Sequence, residues 1–162
     1  VGIFSPYQDI DGMVGRHHMR GSYEVRQVVM CSGNLLRTKA WEQVGKFRED
    51  FFIDLVDDEI CCRLRAFGWD IVRINTIHLT HHLGEGLRYS PILRHPFFTH
   101  VPWRYFYIAR NTRSLIKLYP KMAPYYRHEL RKHVKHLLLY DWEDKCAKLV
   151  YFCRGLCSAK QG

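Results

Sequence analysis

The chain has 162 residues, of which 47% are hydrophobic and 14% aromatic, and its formal net charge is +9. This composition excludes an intrinsically disordered chain, and without any run of 18 apolar residues these residues include no membrane-spanning helix. The length is enough for one domain with its own core and a helical annex.

The positive charge is confined to the last third of the sequence. Residues 1–96 contain 12 Lys or Arg and 12 Asp or Glu, whereas residues 97–162 contain 13 and 4. We therefore divide the chain into a neutral part, 1–96, and a basic part, 97–162. A basic surface favours phosphates, whether on nucleic acid, on anionic lipid or on a lipid-linked sugar, and charge alone does not choose among them.

The neutral part has the pattern of an α/β segment, with short apolar runs separated by Gly, Pro and polar clusters. The predicted strands are, in chain order, 1–6, 24–31, 35–37, 69–74 and 77–83. The predicted helices are 39–44, with Thr38 as N-cap, and 59–67, begun by Asp57-Asp58 and ended by Gly68. Residues 84–96 contain two Pro and two Gly and are predicted to be a loop.

The basic part is predicted to be helical. Apolar residues recur every three or four positions from Tyr105 to Tyr119, and Pro120 and Pro124 then interrupt the pattern. A second helix is predicted for 125–140. A third is predicted for 142–154 and is expected to end at Gly155.

Four carboxylates lie within six residues, at Asp54, Asp57, Asp58 and Glu59, between aromatic and aliphatic residues. Carboxylates in the first turn of a helix are stabilised by its free N–H groups, and Glu59 can pair with Arg63 one turn later. This structural explanation does not cover Asp54, which stands beside an apolar cluster. A carboxylate at that place needs a partner, a metal or a substrate hydroxyl.

Five motifs, in this order, resemble those of family 2 glycosyltransferases of the rhamnosyltransferase-like kind. They are SGN (32–34), VGKFREDFFID (44–54), VDDEICCRLRAFGW (56–69), HHLGE (81–85) and WRYFYIARN (103–111). The resemblance implies a GT-A fold, here incomplete, followed by a basic helical extension. It also implies inverting transfer of rhamnose or a similar sugar from a nucleotide donor to a glycan or lipid-linked acceptor in surface polysaccharide synthesis.

The resemblance implies roles for single residues. Asp57 takes the place of the catalytic base, Asp54 shapes the acceptor pocket, and Gly33 lets the backbone approach the sugar. The other positions assigned to substrate binding are Ser32, Asn34, Asp58, Glu59, Arg104, Tyr107, Arg110 and Asn111.

Arg104, Tyr107 and Asn111 share one face of the first predicted helix of the basic part, at offsets of three and seven residues. Such a face could bind phosphates or acceptor hydroxyls through charge-assisted hydrogen bonds. The alternative is that it packs against the loop before it.

The resemblance also implies a divalent metal, Mg²⁺ or Mn²⁺, held mainly by an Asp-x-Asp motif upstream of the first strand. His81 stands where part of the family has a histidine that ligates the metal or touches the leaving diphosphate, and His82 is an open alternative. Asp9-Ile10-Asp11 has the letters of the motif but falls in a variable loop, so we treat it as coincidental. We therefore expect the nucleotide-binding half to be missing, apolar surface to be exposed beside residues 1–6, and no turnover by this chain alone.

The predicted partners are a nucleotide sugar, dTDP-linked, a glycan or lipid-linked acceptor, and an anionic membrane surface, but no nucleic acid. Six cysteines without a disulfide-like spacing fit reduced thiols, and the predicted location is cytoplasmic, at the inner face of the membrane. Two other classes stay open. A nucleic-acid-binding module fits the pI of 9.4 but not the acidic cluster, and a structural membrane-associated helical protein leaves residues 1–96 unexplained.

Overall fold

A computed structural model describes residues 1–10, 21–81, 87–90 and 95–158, and over these residues the chain is a mixed α/β protein. The strands are β1 (Ile3–Ile10), β2 (Tyr23–Arg26), β3 (Leu35–Leu36), β4 (Ile71–His81), β5 (Leu87–Ser90) and β6 (His95–Phe98). The α-helices are α1 (Thr38–Val44), α2 (Val56–Ala66), α3 (Pro102–Leu118), α4 (Ala123–Leu139) and α5 (Lys145–Ser158). Two 3₁₀ turns cover Glu49–Phe51 and Pro120–Met122.

The chain divides into two compact units. The first comprises Val1–Glu49 and Val56–Gly84, and the second comprises Asp50–Leu55 and Glu85–Gly162. The hairpin of β5 and β6 therefore belongs with the helices, although the sequence placed the boundary after residue 96. The assignment of these parts as an acceptor-side half and a helical extension stays a prediction.

The first unit is built on a four-stranded mixed sheet in the order β2-β4-β1-β3. The central strands β1 and β4 run parallel, and each edge strand is antiparallel to its neighbour. Ile3 and Ile71 are paired across the centre and point to one face, where helix residues cover them. The buried core consists of Ile3, Ala40, Val44, Ile60, Cys61, Leu64 and Ile71.

The opposite face of this sheet carries apolar side chains, and those on the two edge strands are exposed. Phe4 is paired with Leu35 and with Val72, and Val72 is paired in turn with Val25, so these side chains share a face. Val25 is 58% and Leu35 72% exposed. The expectation of exposed apolar surface beside the first strand is confirmed.

In the second unit the helices pack around a core of their own. It consists of Tyr105, Ile108 and Ala109 from α3, Leu137 from α4 and Phe152 from α5. Gly155 lets α3 and α5 approach closely, because a Cβ at this position would lie 2.2 Å from the carbonyl oxygen of Phe106. Among the described residues, no helix has the length and apolar character needed to cross a membrane.

The structure corrects several predicted boundaries in the first unit. The strand predicted for 24–31 ends at Arg26, and the two strands predicted for 69–83 form the single strand β4, whose pairing with β1 shifts register after Pro6. Thr38 is the first residue of α1 rather than its N-cap. The second helix begins at Val56, which places Asp57 inside its first turn.

Two predictions for the later part were also wrong. The loop predicted for 84–96 contains β5 and part of β6 in its described residues, and Pro96 is tolerated there because the ladder has only two strands, each with an open edge. The third helix does not end at Gly155 but continues to Ser158. Gly155 is needed for close helix packing, not for a helix stop.

Candidate functional site

The carboxylate of Asp57 is held by the backbone of a neighbouring turn. Its Oδ2 accepts a hydrogen bond from the N–H of Cys31 at 2.9 Å, and Asp57 itself lies in the first turn of α2. The helix N-terminus favours a negative charge at this place. Burial, followed by the charge of Asp57, raises the pKa of the Cys31 thiol, so Cys31 stays a neutral thiol beside the carboxylate.

The turn that carries Cys31 depends on glycine at position 33. Gly33 has φ +73°, in the left-handed region, and an added Cβ would lie 2.9 Å from Cδ2 of Leu79 and 3.2 Å from Cγ of Pro6. Only glycine fits this conformation and this spacing without strain. Ser32-Gly33-Asn34 therefore forms a tight turn against the sheet, as the sequence predicted; its contact with a sugar stays a prediction.

The amide side chains of Gln8 and Asn34 both lie at this turn, but they differ in their hydrogen bonding. Nε2 of Gln8 donates to the carbonyl oxygens of Met30 and Ser32, at 3.3 and 2.9 Å, and so ties the turn to β1. Within the described residues, the amide nitrogen and oxygen of Asn34 are both shielded from solvent and have no hydrogen-bond partner. An unsatisfied buried polar group costs about 1–3 kcal/mol, so Asn34 is a candidate for binding a polar group of a ligand.

Glu59 is the most buried member of the acidic cluster, at 1% exposure, and its Oε2 accepts from Nη2 of Arg63 at 2.9 Å. Arg63 also donates to the carbonyl oxygens of Val44 and Lys46, which ties α2 to the end of α1. The predicted Glu59–Arg63 pair is confirmed. The substrate contacts of Glu59 and of half-buried Asp58 stay predictions, and burial disfavours that of Glu59.

His81 is the last residue of β4, half-buried and opposite Ile10 of β1. In the part of the chain that the structure describes, no three His, Cys, Asp or Glu side chains are grouped so as to hold a metal ion. His81 could supply one ligand, but these residues do not by themselves make a metal site. His82, the alternative, lies outside the described residues.

In the second unit, the segment 50–55 has an unusual backbone. Phe52, Asp54 and Leu55 have φ values of 57°, 61° and 60°, in the left-handed region that non-glycine residues rarely adopt. Each such residue costs on the order of 1–3 kcal/mol, and strain of this kind persists only where surrounding contacts enforce it.

Asn111 and Arg110 of α3 supply those contacts. Nδ2 of Asn111 donates to the carbonyl oxygens of Phe51, Ile53 and Asp54 at 2.8 to 2.9 Å. Nη2 of Arg110 donates to the carbonyl oxygens of Asp50 and Phe51. We call this arrangement the segment clamp. Its donors, Arg110 and Asn111, are residues that the family resemblance assigned to substrate binding.

Asp54 completes the segment clamp from the segment itself. Its two oxygens accept from Nη2 and Nε of Arg104, at 2.6 and 3.1 Å, in a bidentate ion pair. The ring of Tyr107 contacts that of Phe52, with centroids 5.2 Å apart, and lies 4.8 Å from the guanidinium of Arg110. The predicted helix face thus packs against segment 50–55 and not against the loop directly before the helix, which was the alternative; substrate contacts of these residues stay predictions.

The sequence interpretation missed a buried polar cluster in the second unit. Nζ of Lys148 donates to Oδ1 of Asp141 and to Oγ1 of Thr99, both at 2.8 Å. The other carboxylate oxygen accepts from Thr99 at 2.6 Å and from Tyr105 at 2.9 Å. One signal could have found it: Lys148 stands one helical turn before Phe152, on the buried side of α5.

Neither a protein-family model nor a solved structure matches the chain. Among curated proteins, the chain is similar to dTDP-rhamnosyl transferase RfbF of Shigella flexneri, with 31% identity over 90 residues. The similarity indicates a distant relationship to a glycosyltransferase. The matched stretch is 56% of this chain and 30% of the Shigella protein, so the chain spans less than a third of that relative.

Proposed function

We propose that the chain forms the acceptor side of an inverting family 2 glycosyltransferase with an incomplete GT-A fold. In this proposal the enzyme transfers rhamnose or a similar sugar from a dTDP-linked donor to a glycan or lipid-linked acceptor. The observation that carries the proposal is the position of Asp57, a carboxylate held by one backbone N–H at the start of a helix. The name of the Shigella relative supports the donor and the sugar.

Asp57 would act as general base. Its carboxylate accepts the proton of the acceptor hydroxyl while that oxygen attacks the anomeric carbon of the donor sugar. The bond between the anomeric carbon and the diphosphate oxygen breaks on the opposite face, and the nucleoside diphosphate leaves with the electron pair. A single displacement of this kind inverts the anomeric configuration.

The turn 31–34 supports this chemistry in two ways. The N–H of Cys31 fixes one carboxylate oxygen, so the base is positioned by backbone and not by a flexible side chain. The amide of Asn34, three residues along, has no hydrogen-bond partner in the part of the chain that the structure describes, and an amide can donate to and accept from sugar hydroxyls. Gly33 between them lets the turn pack tightly against Leu79 and Pro6, which fixes the positions of Cys31 and Asn34.

The segment clamp has a positioning role in this proposal. Arg104, Arg110 and Asn111 hold residues 50–55, which directly precede α2 in the sequence, in a strained conformation. The divalent metal that the resemblance implies would neutralise the leaving diphosphate. Because His81 is its only proposed ligand here and the described residues complete no site, we route no step through it.

The test is a transfer assay with the full-length protein that the gene encodes. With dTDP-rhamnose and a lipid-linked glycan acceptor, we expect a glycosidic product whose anomeric configuration, measured by NMR, is opposite to that of the donor. The 162-residue chain alone is expected to give no product. Retention of configuration, or no transfer from any nucleotide sugar by the full-length protein, would contradict the proposal.

A further inference from the structure

One side of α4 presents apolar side chains to solvent, although its other side is packed in the second unit. Tyr126 and Leu137 are buried, whereas Val134, Leu138 and Leu139 are 37%, 47% and 47% exposed. The exposed side lines an open groove of about 430 Å³, formed by Leu130, Arg131, Val134, Lys135, Leu138 and Leu139. Single apolar residues scattered over a surface are ordinary, but three exposed aliphatic residues close together on one helix indicate an interaction site.

Basic residues are interleaved with these apolar ones on the same side of the helix. At about 100° per residue, Arg127 and Arg131 fall on either side of Leu138, and Lys135 lies next to Arg131. All three basic residues are exposed. The one acidic residue within α4, Glu129, lies about 160° from Arg131 around the helix, where Lys132 contacts it at 3.0 Å.

An amphipathic aromatic residue follows the end of α4. Trp142 is 63% exposed, and Nζ of Lys145 lies 3.8 Å from the centre of its ring. Tryptophan is enriched where a polar surface meets hydrocarbon, and a lysine beside it can reach phosphate groups. The same end of α4 therefore carries aliphatic, aromatic and cationic groups together.

From these observations we infer that α4 and Trp142 form a docking face for an anionic lipid bilayer. We call the set Arg127, Arg131, Val134, Lys135, Leu138, Leu139 and Trp142 the bilayer face. Its charges complement anionic headgroups, and its aliphatic side chains leave water by entering the boundary between headgroups and acyl chains. Phosphates of a nucleic acid would attract the same charges but would offer no apolar layer for Val134 and Leu138.

The test is sedimentation of the 162-residue chain with two kinds of vesicle, phosphatidylcholine alone and phosphatidylcholine with about a third phosphatidylglycerol. We expect binding to the anionic vesicles and much weaker binding to the neutral ones. Arg131→Gln with Lys135→Gln should reduce anionic binding about twentyfold, because each basic residue near the surface contributes about fivefold. Val134→Ser with Leu138→Ser should reduce it about tenfold through lost apolar burial.

Matched controls come from the first unit. Lys39→Gln with Lys46→Gln removes two exposed charges, and Val25→Ser with Leu35→Ser removes two exposed aliphatic side chains. Both controls should bind as the unchanged chain does, and circular dichroism confirms folding of every variant. Equal binding to both vesicles, no binding at low salt, or unchanged binding of the Val134 and Leu138 variant overturns the inference. A competition experiment with duplex DNA gives a further outcome that overturns the inference. That outcome is displacement of the vesicles by a DNA whose binding depends on Arg131 and Lys135 but not on Val134 and Leu138.

Discussion

Asp57 in the first unit and Asp141 in the second are both held by hydrogen bonds, but they differ in how far a substrate could reach the carboxylate. Asp141 is 1% exposed and accepts from Thr99, Tyr105 and Lys148. Asp57 is half-buried; its Oδ2 accepts from the N–H of Cys31, and the Cys31 thiol is a second hydrogen-bonding partner of the carboxylate. A carboxylate that is fully shielded from solvent stabilises the fold, whereas a partly exposed carboxylate can be reached by a substrate and take a proton from it.

The protonation of the buried cluster agrees with a structural role. Burial alone would raise the pKa of Asp141, but hydrogen bonds from Lys148, Thr99 and Tyr105 outweigh it and hold that pKa below its usual value. Burial, together with Asp141, raises the pKa of Tyr105 to about 12. Asp141 therefore stays ionised and Tyr105 stays neutral throughout the physiological range.

The largest stability effect is expected from breaking this cluster. Lys148→Met leaves the Asp141 carboxylate buried without its cation and should lower the free energy of unfolding by about 3–5 kcal/mol. Lys132→Met, which removes an exposed partner of Glu129, should cost less than about 1 kcal/mol. Urea unfolding followed by circular dichroism measures both. Equal losses in the two variants would remove the contrast between a structural cluster and an ordinary surface pair.

A smaller effect is expected from pH. Burial lowers the pKa of His133 to about 4, so between pH 6.5 and 4 the unfolded chain binds a proton that the folded chain does not. Stability should therefore fall by roughly 2–3 kcal/mol as the pH drops through this window. His133→Gln should flatten the urea-midpoint profile there. Asp141, whose pKa is lowered, should contribute to acid unfolding only as the pH falls through the usual aspartate range and below it. A profile unchanged by His133→Gln would mean that this histidine is accessible to protons.

Patterns among near neighbours in the sequence predicted features of the first unit, but they did not predict the segment clamp. Gly68 ends α2, Glu59 pairs with Arg63 within one turn, and the carboxylates gather at one helix start, all of which depend on near neighbours. The partner of Asp54 is Arg104, 50 residues away, and no spacing rule encodes such a pair. The role of a glycine near a predicted helix end is a further limit of sequence analysis, because the same residue can end a helix or allow close packing. Only the structure shows that Gly155 packs against Phe106.

The backbone of 50–55 could not be predicted for a related reason. Residues such as Phe52 and Leu55 do not favour a positive φ, so their conformation is imposed by distant donors on α3. The burial of Lys148 could not be predicted either, because composition counts its charge but not its surroundings. The sequence predicted the turn at Ser32-Gly33-Asn34 and the place of Asp57 at a helix start, but not the hydrogen bonds that fix segment 50–55.

The central claim is that Asp57, among the clustered carboxylates, is the general base. The most direct measurement is sugar transfer at saturating donor by the full-length protein carrying Asp57→Asn or Asp58→Asn. Asp57→Asn keeps the size of the side chain but cannot take a proton, so turnover should fall by about 10²–10⁴-fold, with little change in unfolding free energy. Asp58→Asn should cost much less. Near-normal turnover of Asp57→Asn, with activity abolished by Asp54→Asn or Glu59→Gln, would contradict the account.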